Sequence, residues 1–249
     1  YTTSIACYRA LVDNGTIAPG QVITTAGLSL GEFTALHLAG AFDFASGLRL
    51  VRLRGQAMQE AADAMPSSMV ALVGADEAQA KALCADALKD PENKGDEVLV
   101  PANFNCPGQI VISGSLAACE RALVVAEKMG LRATALSVAG AFHSPLMQPA
   151  ADRLAKALEE VSWQTPRVPV LSNVTAKPHD TNDIDSIKQR LVEQLTSPVR
   201  WGESMQWLLA NDSTKAGQLV ELAPGKVLSG LMRRIDRGAK VTNDAEPAA

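Results

Sequence analysis

Cysteines are few in this chain of 249 residues, and none lies in a metal-binding pattern. There is no C-x-x-C pair, and no histidine is near any of the four cysteines, Cys7, Cys84, Cys106 and Cys119. This spacing favours neither a zinc site nor a disulfide framework. We therefore expect no metal and no redox cofactor, and free thiols are typical of a reducing compartment such as the cytoplasm.

Long hydrophobic runs and an excess of one charge are also missing. No apolar stretch reaches the roughly 20 residues of a membrane span, and no secretory signal pattern is present. The formal net charge is -4, whereas nucleic-acid-binding proteins normally carry a basic surface. We expect a soluble protein that binds neither membranes nor nucleic acids. Its hydrophobic content of 47% suffices for a large core, in one domain or in a domain with an insertion.

The sequence Gly-Leu-Ser-Leu-Gly at residues 27–31 is the clearest functional pattern. It follows a β-branched run at residues 22–25 and precedes a helical pattern over residues 32–39. A serine between two glycines at a strand-to-helix turn is typical of a nucleophile elbow, where a Cβ on either glycine is expected to clash. The hydroxyl of Ser29 would then lie beside unpaired helix N–H groups. An ordinary Gly-Ser turn that caps a helix explains the pattern equally well.

A serine nucleophile needs a base, and the chain has only three histidines. His37 is eight residues beyond Ser29 on the same predicted helix, roughly 12 Å along its axis, which is too far to take the hydroxyl proton. His179 lies in a polar run that predicts a solvated loop. His143 follows a strand predicted over residues 134–138 and a bend at residues 139–141, and functional groups of α/β proteins collect at such strand ends. A hydrogen-bonded turn histidine is the alternative at that position.

Arg54 lies within the apolar stripe of a helix predicted over Phe44–Ala64. Its neighbours three and four residues away are Leu50, Val51, Ala57 and Met58, and none of them is acidic. A buried arginine needs a distant carboxylate or an external anion, and a guanidinium can hold a carboxylate with two parallel hydrogen bonds. On spacing alone, an arginine that extends along its stem to solvent is slightly favoured.

The order of the predicted elements indicates two folding units. Between residues 68 and 138 the order is β-α-β-β-α-β, which is typical of a ferredoxin-like unit. Longer helices and apolar strands lie on either side of it, and two of these strands are predicted over residues 22–25 and 168–173. We therefore predict an α/β protein with a discontinuous main domain at residues 1–65 and 138–249 and an inserted subdomain at residues 66–137.

Six ordered motifs give the chain a family resemblance that runs to about Arg237. They are Gly27-Leu-Ser-Leu-Gly-Glu32, Leu53-Arg-Gly-Gln-Ala-Met58, Asn103-Phe-Asn-Cys-Pro-Gly-Gln-Ile-Val-Ile-Ser-Gly114, Gly140-Ala-Phe-His-Ser-Pro-Leu-Met147, Ser197-Pro-Val-Arg-Trp201 and Glu221-Leu-Ala-Pro-Gly-Lys-Val-Leu228. Together they resemble the malonyl-CoA:acyl carrier protein transacylases. The resemblance implies an α/β-hydrolase-like body with an inserted ferredoxin-like subdomain.

For the reaction, the resemblance implies a malonyl-serine intermediate in fatty-acid or polyketide synthesis. Ser29 would attack the thioester of malonyl-CoA, and His143 would take its proton and later activate the thiol of holo-acyl carrier protein. Gln194 would orient His143 through a carbonyl oxygen, and the Leu30 N–H would bind the oxyanion. No cofactor takes part, and we expect the chain to act as a monomer.

The resemblance also implies the determinants of substrate choice. Arg54 would hold the malonyl carboxylate, and Phe142 would leave little room for an α-methyl branch. One methyl group changes binding in an apolar pocket by only about 1–3 kcal/mol, so this preference is not absolute.

The chain departs from the family pattern in two places. Leu28 stands where the commoner form has a histidine before the nucleophile. The glutamine-containing N-terminal loop, which supplies the second oxyanion donor in the family, has no counterpart. Losing one such donor lowers the rate by roughly 10²–10³. We therefore expect a chain without that segment to be weakly active or inactive as a transferase.

Two alternatives remain at this level. A serine esterase or thioesterase shares the elbow and the histidine but does not require Arg54, and a non-catalytic relative would bind carrier protein without turnover. A basic cluster on this otherwise acidic chain could serve docking or merely complement a helix C-terminus; it comprises Arg233, Arg234, Arg237 and Lys240.

Overall fold

The computed structural model describes residues 1–89 and 95–243. Its α-helices are α1 Thr2–Asp13, α2 Leu30–Leu38, α3 Phe44–Ala64, α4 Glu77–Ala87, α5 Leu116–Lys128, α6 Gln148–Glu159, α7 Ile184–Glu193, α8 Trp201–Ala210 and α9 Val227–Ile235. Its strands are β1 Ser67–Val73, β2 Leu99–Cys106, β3 Gln109–Ser115, β4 Arg132–Ala135, β5 Leu219–Glu221 and β6 Val241–Asn243. Within the described ranges, no helix is long and apolar enough to cross a membrane.

The middle of the chain forms a four-stranded antiparallel sheet. The chain order β1-α4-β2-β3-α5-β4 is the predicted one, and the strands lie side by side in the order β2-β3-β1-β4. Alternate residues of a strand face opposite sides of a sheet. Leu72 and Ile112 therefore pack under α4 and α5, whereas Met69 and Val111 face the other way, towards Phe142. The sheet thus has one face in its own core and one face turned to the rest of the protein.

The helices on either side of this unit share a second apolar core. Fully buried side chains of α2, α3, α6 and α7 meet there, among them Phe33, Leu50, Leu154 and Leu191. Helix α3 has the predicted bounds because its apolar stripe is continuous and its N-terminus is capped: the Asp43 carboxylate accepts the N–H of Ser46 at 2.7 Å. Arg54 lies near the middle of α3, where it is buried.

The segments before the elbow and after α6 are less regular than the sequence predicts. Instead of strands over residues 22–25 and 168–173, the two segments form a single parallel bridge between Thr25 and Val170. Thr25 N–H donates to Pro169 at 3.0 Å, and Leu171 N–H donates to Thr25 at 3.1 Å. β-branched residues favour extended backbone, but a strand also needs a continuous partner edge, and Ile23 is left 46% exposed. This bridge still fixes where the chain enters the elbow.

Candidate active site

The elbow at Ser29 has a conformation that few residues other than glycine adopt. Ser29 precedes the first residue of α2 and has φ 52° and ψ -108°. A Cβ on Gly27 would lie 2.0 Å from the carbonyl carbon of Gly31, so the turn closes only with glycine at residue 27. A Cβ on Gly31 would meet nothing within 4 Å. The expectation that both glycines are sterically required is therefore wrong for Gly31, because only Gly27 faces the inside of the turn.

Ser29 and His143 are in direct contact. The Ser29 Oγ and His143 Nε2 atoms are 2.8 Å apart, and His143 Nδ1 lies 2.8 Å from the backbone oxygen of Gln194. A carbonyl oxygen can only accept, so Nδ1 carries the proton and Nε2 is left free to accept the hydroxyl hydrogen of Ser29. Like Ser29, His143 has a positive φ, of 58°. The structure therefore brings together the serine and histidine that the sequence selects.

The environment of His143 keeps its imidazole neutral. The pKa of His143 is lowered from 6.5 to about 4, chiefly by burial and also by the nearby charge of Arg54, while the hydrogen bond to the Gln194 carbonyl opposes both. At neutral pH the ring is consequently unprotonated at Nε2, which is the state required of a proton acceptor.

Arg54 lies against the same hydroxyl. Its side chain is buried at 4% exposure, which overturns the preference, from spacing alone, for an arginine that extends to solvent. Nη2 donates to Ser29 Oγ at 2.9 Å and to Gln194 Oε1 at 3.0 Å, while Nε is buried and has no hydrogen-bond partner among the described residues. Burial lowers the pKa of Arg54 to about 10, opposed by the charge of Glu32, so the guanidinium stays protonated at neutral pH.

Gln194 contacts every member of this group through a different atom. Besides its backbone bond to His143, its side-chain Nε2 donates to the Ser29 carbonyl at 3.0 Å and to Glu32 Oε2 at 2.6 Å. The sequence indicates only the backbone role. The buried amide thus links serine, arginine and histidine in one hydrogen-bonded arrangement.

Three further residues lie behind the elbow that the sequence did not assign to the site: Glu32, Asn173 and His179. Glu32 is fully buried; its Oε1 lies 2.7 Å from His179 Nε2, and its Oε2 accepts the Asn173 N–H at 3.2 Å. Asn173 Oδ1 accepts the Ser29 N–H at 2.6 Å, and its amide donates to the Gly27 oxygen at 2.8 Å. The prediction that His179 is solvated is wrong, because its ring is buried against Glu32. The available signal is a carboxylate directly after the elbow, in a helix with no other acidic residue.

An open pocket of about 380 Å³ leads to the serine. Its polar lining includes Ser29, Arg54 and His143, and apolar side chains from both parts of the chain complete it: Leu28, Met58, Met69, Val111, Leu136 and Phe142. The predicted Phe142 therefore lies in the pocket wall. The Leu30 N–H is the first amide of α2 and has no partner within the helix. Pockets of this size suit small ligands.

Other predicted features lie elsewhere. His37 packs against Tyr1 and Phe44 and bonds the Phe42 carbonyl through Nδ1 at 3.0 Å. The basic cluster of Arg233, Arg234, Arg237 and Lys240 is exposed at and after the end of α9. A larger cavity of about 510 Å³ lies between α1, α2 and α9, but its lining contains neither Arg54 nor His143. Within the described residues, no group of three or more His, Cys, Asp or Glu side chains could hold a metal.

Serine and histidine in contact at the start of a helix, within an α/β fold, are typical of enzymes that form an acyl-serine. Residues 3–248 match the Acyl transferase domain family, which defines the class of the protein. The chain is 41% identical to malonyl CoA-acyl carrier protein transacylase of Escherichia coli K12 over 249 residues, all of this chain and 76% of that protein.

Further relatives agree with that match. Identity to malonyl CoA-acyl carrier protein transacylase of Bacillus subtilis 168 is 42% over 250 residues, covering 99% of this chain and 74% of the relative. The crystal structure of acyl-carrier-protein S-malonyltransferase from Burkholderia pseudomallei 1710b superposes with a TM-score of 0.88 at 38% identity, covering 99% of this chain and 76% of that one. The chain belongs to the malonyl CoA-acyl carrier protein transacylase family.

Proposed function

We propose that this chain transfers a malonyl group from coenzyme A to the phosphopantetheine thiol of acyl carrier protein through malonyl-Ser29. The observation that carries the proposal is the buried guanidinium of Arg54, whose Nη2 is 2.9 Å from the Ser29 hydroxyl and whose Nε has no partner among the described residues. A positive group with a spare donor beside a nucleophile suits an acyl group that ends in a carboxylate.

In the first half-reaction, Ser29 Oγ attacks the thioester carbonyl carbon and its proton passes to His143 Nε2. The Leu30 N–H is placed to donate to the oxyanion that forms. Collapse of the tetrahedral intermediate breaks the carbon–sulfur bond, and the imidazolium returns the proton to the leaving sulfur of coenzyme A.

The second half-reaction reverses these roles with a new thiol. His143 Nε2 takes the proton of the phosphopantetheine thiol, and the thiolate attacks the ester carbonyl of malonyl-Ser29. The carbon–oxygen bond breaks, and the proton passes to Ser29 Oγ. Because the Gln194 carbonyl holds Nδ1–H throughout, the same nitrogen serves both half-reactions.

Selection of the acyl group would involve two residues. Arg54 would hold the malonyl carboxylate through its guanidinium, which would also satisfy the buried Nε. Phe142 forms part of the pocket wall and would restrict an α-methyl substituent, with a penalty of about 1–3 kcal/mol.

We further infer the domain organisation. Residues 66–137 would form a ferredoxin-like subdomain, supported by the strand order β2-β3-β1-β4, inserted into an α/β-hydrolase-like body of residues 1–65 and 138–249. Cys84, Cys106 and Cys119 are buried thiols outside any disulfide, which supports action in the cytoplasm.

Intact-mass measurement after mixing with malonyl-CoA tests the intermediate. We expect the chain to gain one malonyl group, the Ser29→Ala variant to gain none, and addition of holo-acyl carrier protein to move the group to the carrier. A malonyl adduct that persists in Ser29→Ala would contradict the proposal. Loss of the adduct to water at the same rate with and without carrier protein would support a thioesterase instead.

Acylation by malonyl-CoA and by acetyl-CoA separately tests Arg54. Replacing Arg54 by Gln should lower kcat/KM for malonylation by about 100-fold, because a charge-assisted pair is lost, and change acetylation much less. Arg52→Gln is the matched control, since Arg52 is on the exposed side of the same helix. Equal losses with both thioesters would show that Arg54 does not recognise the carboxylate.

A further inference from the structure

The buried carboxylate of Glu32 takes no part in the steps proposed above, although it is the point where three segments meet. It belongs to α2, accepts hydrogen bonds from Gln194 and from the backbone of Asn173, and pairs with His179. Its exposed fraction is 0%, and a buried charge is costly unless it is paired and hydrogen-bonded. An apolar residue of similar volume at a buried position often gives equal or greater stability than a paired charge. Packing alone therefore does not account for a carboxylate here.

The chemistry of Glu32 determines which way the Gln194 amide points. An ionised carboxylate only accepts hydrogen bonds, and so does the Ser29 carbonyl, so both must face the NH₂ group of Gln194. Gln194 Nε2 lies 2.6 Å from Glu32 Oε2 and 3.0 Å from the Ser29 oxygen. The carbonyl end of the amide is therefore turned to Arg54, where Oε1 accepts from Nη2 at 3.0 Å. A flipped amide would instead put a donor against a cation.

His179 fixes the carboxylate in turn. Its Nε2 is 2.7 Å from Glu32 Oε1, and its backbone N–H donates to Val170 at 2.9 Å, beside the bridge that sets the entry to the elbow. His179 thus occupies one carboxylate oxygen and leaves Oε2 for Gln194. The chain of contacts runs His179, Glu32, Gln194, Arg54, and it ends at the guanidinium edge that faces Ser29.

We propose that Glu32 is a positioning residue for substrate choice: held by His179, it fixes the Gln194 amide so that Arg54 presents its guanidinium to the acyl carboxylate. This rests on the proposed transfer of a malonyl group and deepens it. Glu32 touches neither substrate nor Ser29 Oγ. Its effect therefore falls on recognition of the carboxylate rather than on proton transfer.

The test compares Glu32→Gln with the unaltered chain in acylation by malonyl-CoA and by acetyl-CoA, followed by intact mass. Glutamine has nearly the same shape but can turn a donor towards Gln194. We expect kcat/KM for malonylation to fall by about 10- to 100-fold, chiefly through KM, and acetylation to change less than about threefold. In an Arg54→Gln background the same change should lower the malonyl-to-acetyl ratio no further. Equal losses with both thioesters, an unchanged ratio, or a further fall in that background would overturn the proposal.

If Glu32→Gln does not fold, as judged by circular dichroism, variants of His179 test the same proposal. His179→Gln keeps a donor for Glu32 and should retain most of the malonyl-to-acetyl ratio, whereas His179→Leu should lower it. Equal ratios in these two variants would overturn the proposal. If the unaltered chain forms no malonyl-Ser29, the proposed function fails and this inference fails with it. If the adduct forms but the ratio does not respond, only the role of Glu32 fails.

Discussion

The antiparallel unit and the part of the chain that carries Ser29 differ in which residues have a positive φ. In the described part of residues 66–137, every residue with positive φ is a glycine: Gly74, Gly95, Gly108 and Gly130. In the remainder, Ser29, His143 and Ala176 also have positive φ. Two of these three are the proposed nucleophile and base. Strain of this kind persists only where surrounding contacts hold it, and it concentrates at functional sites.

The two regions also differ in what they bury. The core between the sheet and helices α4 and α5 consists of apolar side chains such as Leu72 and Ile112. Behind Ser29 the buried groups include Glu32, Arg54 and Gln194, each of which needs a partner of fixed geometry. Apolar cores tolerate exchange of similar residues, whereas a polar network loses its function when one member moves. The comparison indicates that the antiparallel unit mainly stabilises the fold. The region behind Ser29 instead buries polar groups, which destabilise the fold unless they are paired, in order to form the site.

The largest expected effect on stability comes from adding a Cβ inside the elbow. Gly27→Ala should reduce the free energy of unfolding by more than about 4 kcal/mol, because its Cβ would overlap backbone atoms of Gly31. Gly31→Ala is the matched control and should change stability by less than about 1 kcal/mol, since its Cβ would meet no atom within 4 Å. Urea unfolding of both variants makes the measurement. Similar losses would mean that the turn is not constrained at Gly27 alone.

A cavity in the antiparallel unit should affect stability without affecting substrate choice. Leu72→Ala should cost about 3 kcal/mol, because Leu72 is fully buried between the sheet and its helices. The malonyl-to-acetyl ratio of acylation, measured where the variant is folded, should stay within about twofold, since Leu72 is on the sheet face away from the pocket. A shifted ratio would show that the two regions are mechanically coupled.

The neutral burial of His143 should make stability depend on pH. The folded-state pKa of about 4 lies below the unfolded value of 6.5, so the unfolded chain binds a proton first as the pH falls. Stability should be unaffected by this group above pH 6.5 and decrease between 6.5 and about 4, by about 3 kcal/mol. Urea unfolding of the unaltered chain and of His143→Gln across this range isolates the contribution. Parallel curves would contradict the assignment.

The smallest effect isolates the strain at Ser29. Ser29→Ala and Ser29→Gly both remove the hydroxyl, so neither should form an acyl-enzyme. Glycine adopts φ 52° freely, and the Gly variant should therefore be more stable than the Ala variant by about 1 kcal/mol. Thermal unfolding of the pair measures the difference. If the Ala variant is equally stable, the elbow conformation is not strained in the way that separates the two regions.

The sequence by itself determined much of the local structure and indicated the proposed nucleophile and base. The bounds of α3 and the β-α-β-β-α-β order of the middle unit follow from periodicity, and distance along one helix excludes His37 as the base. These properties depend on neighbours close in the chain. Local patterns are therefore sufficient to predict them.

Tertiary structure alone decided which groups complete the site. Glu32 meets His179 across 147 residues, and the Gln194 amide reaches Ser29 across 165. The burial of Arg54 and the asymmetry between Gly27 and Gly31 likewise depend on how distant segments pack. Hydrogen bonds of this kind are fixed by three-dimensional position, which no spacing within one segment specifies. The sequence therefore pointed to a serine and its base, and only the folded chain showed what holds them in place.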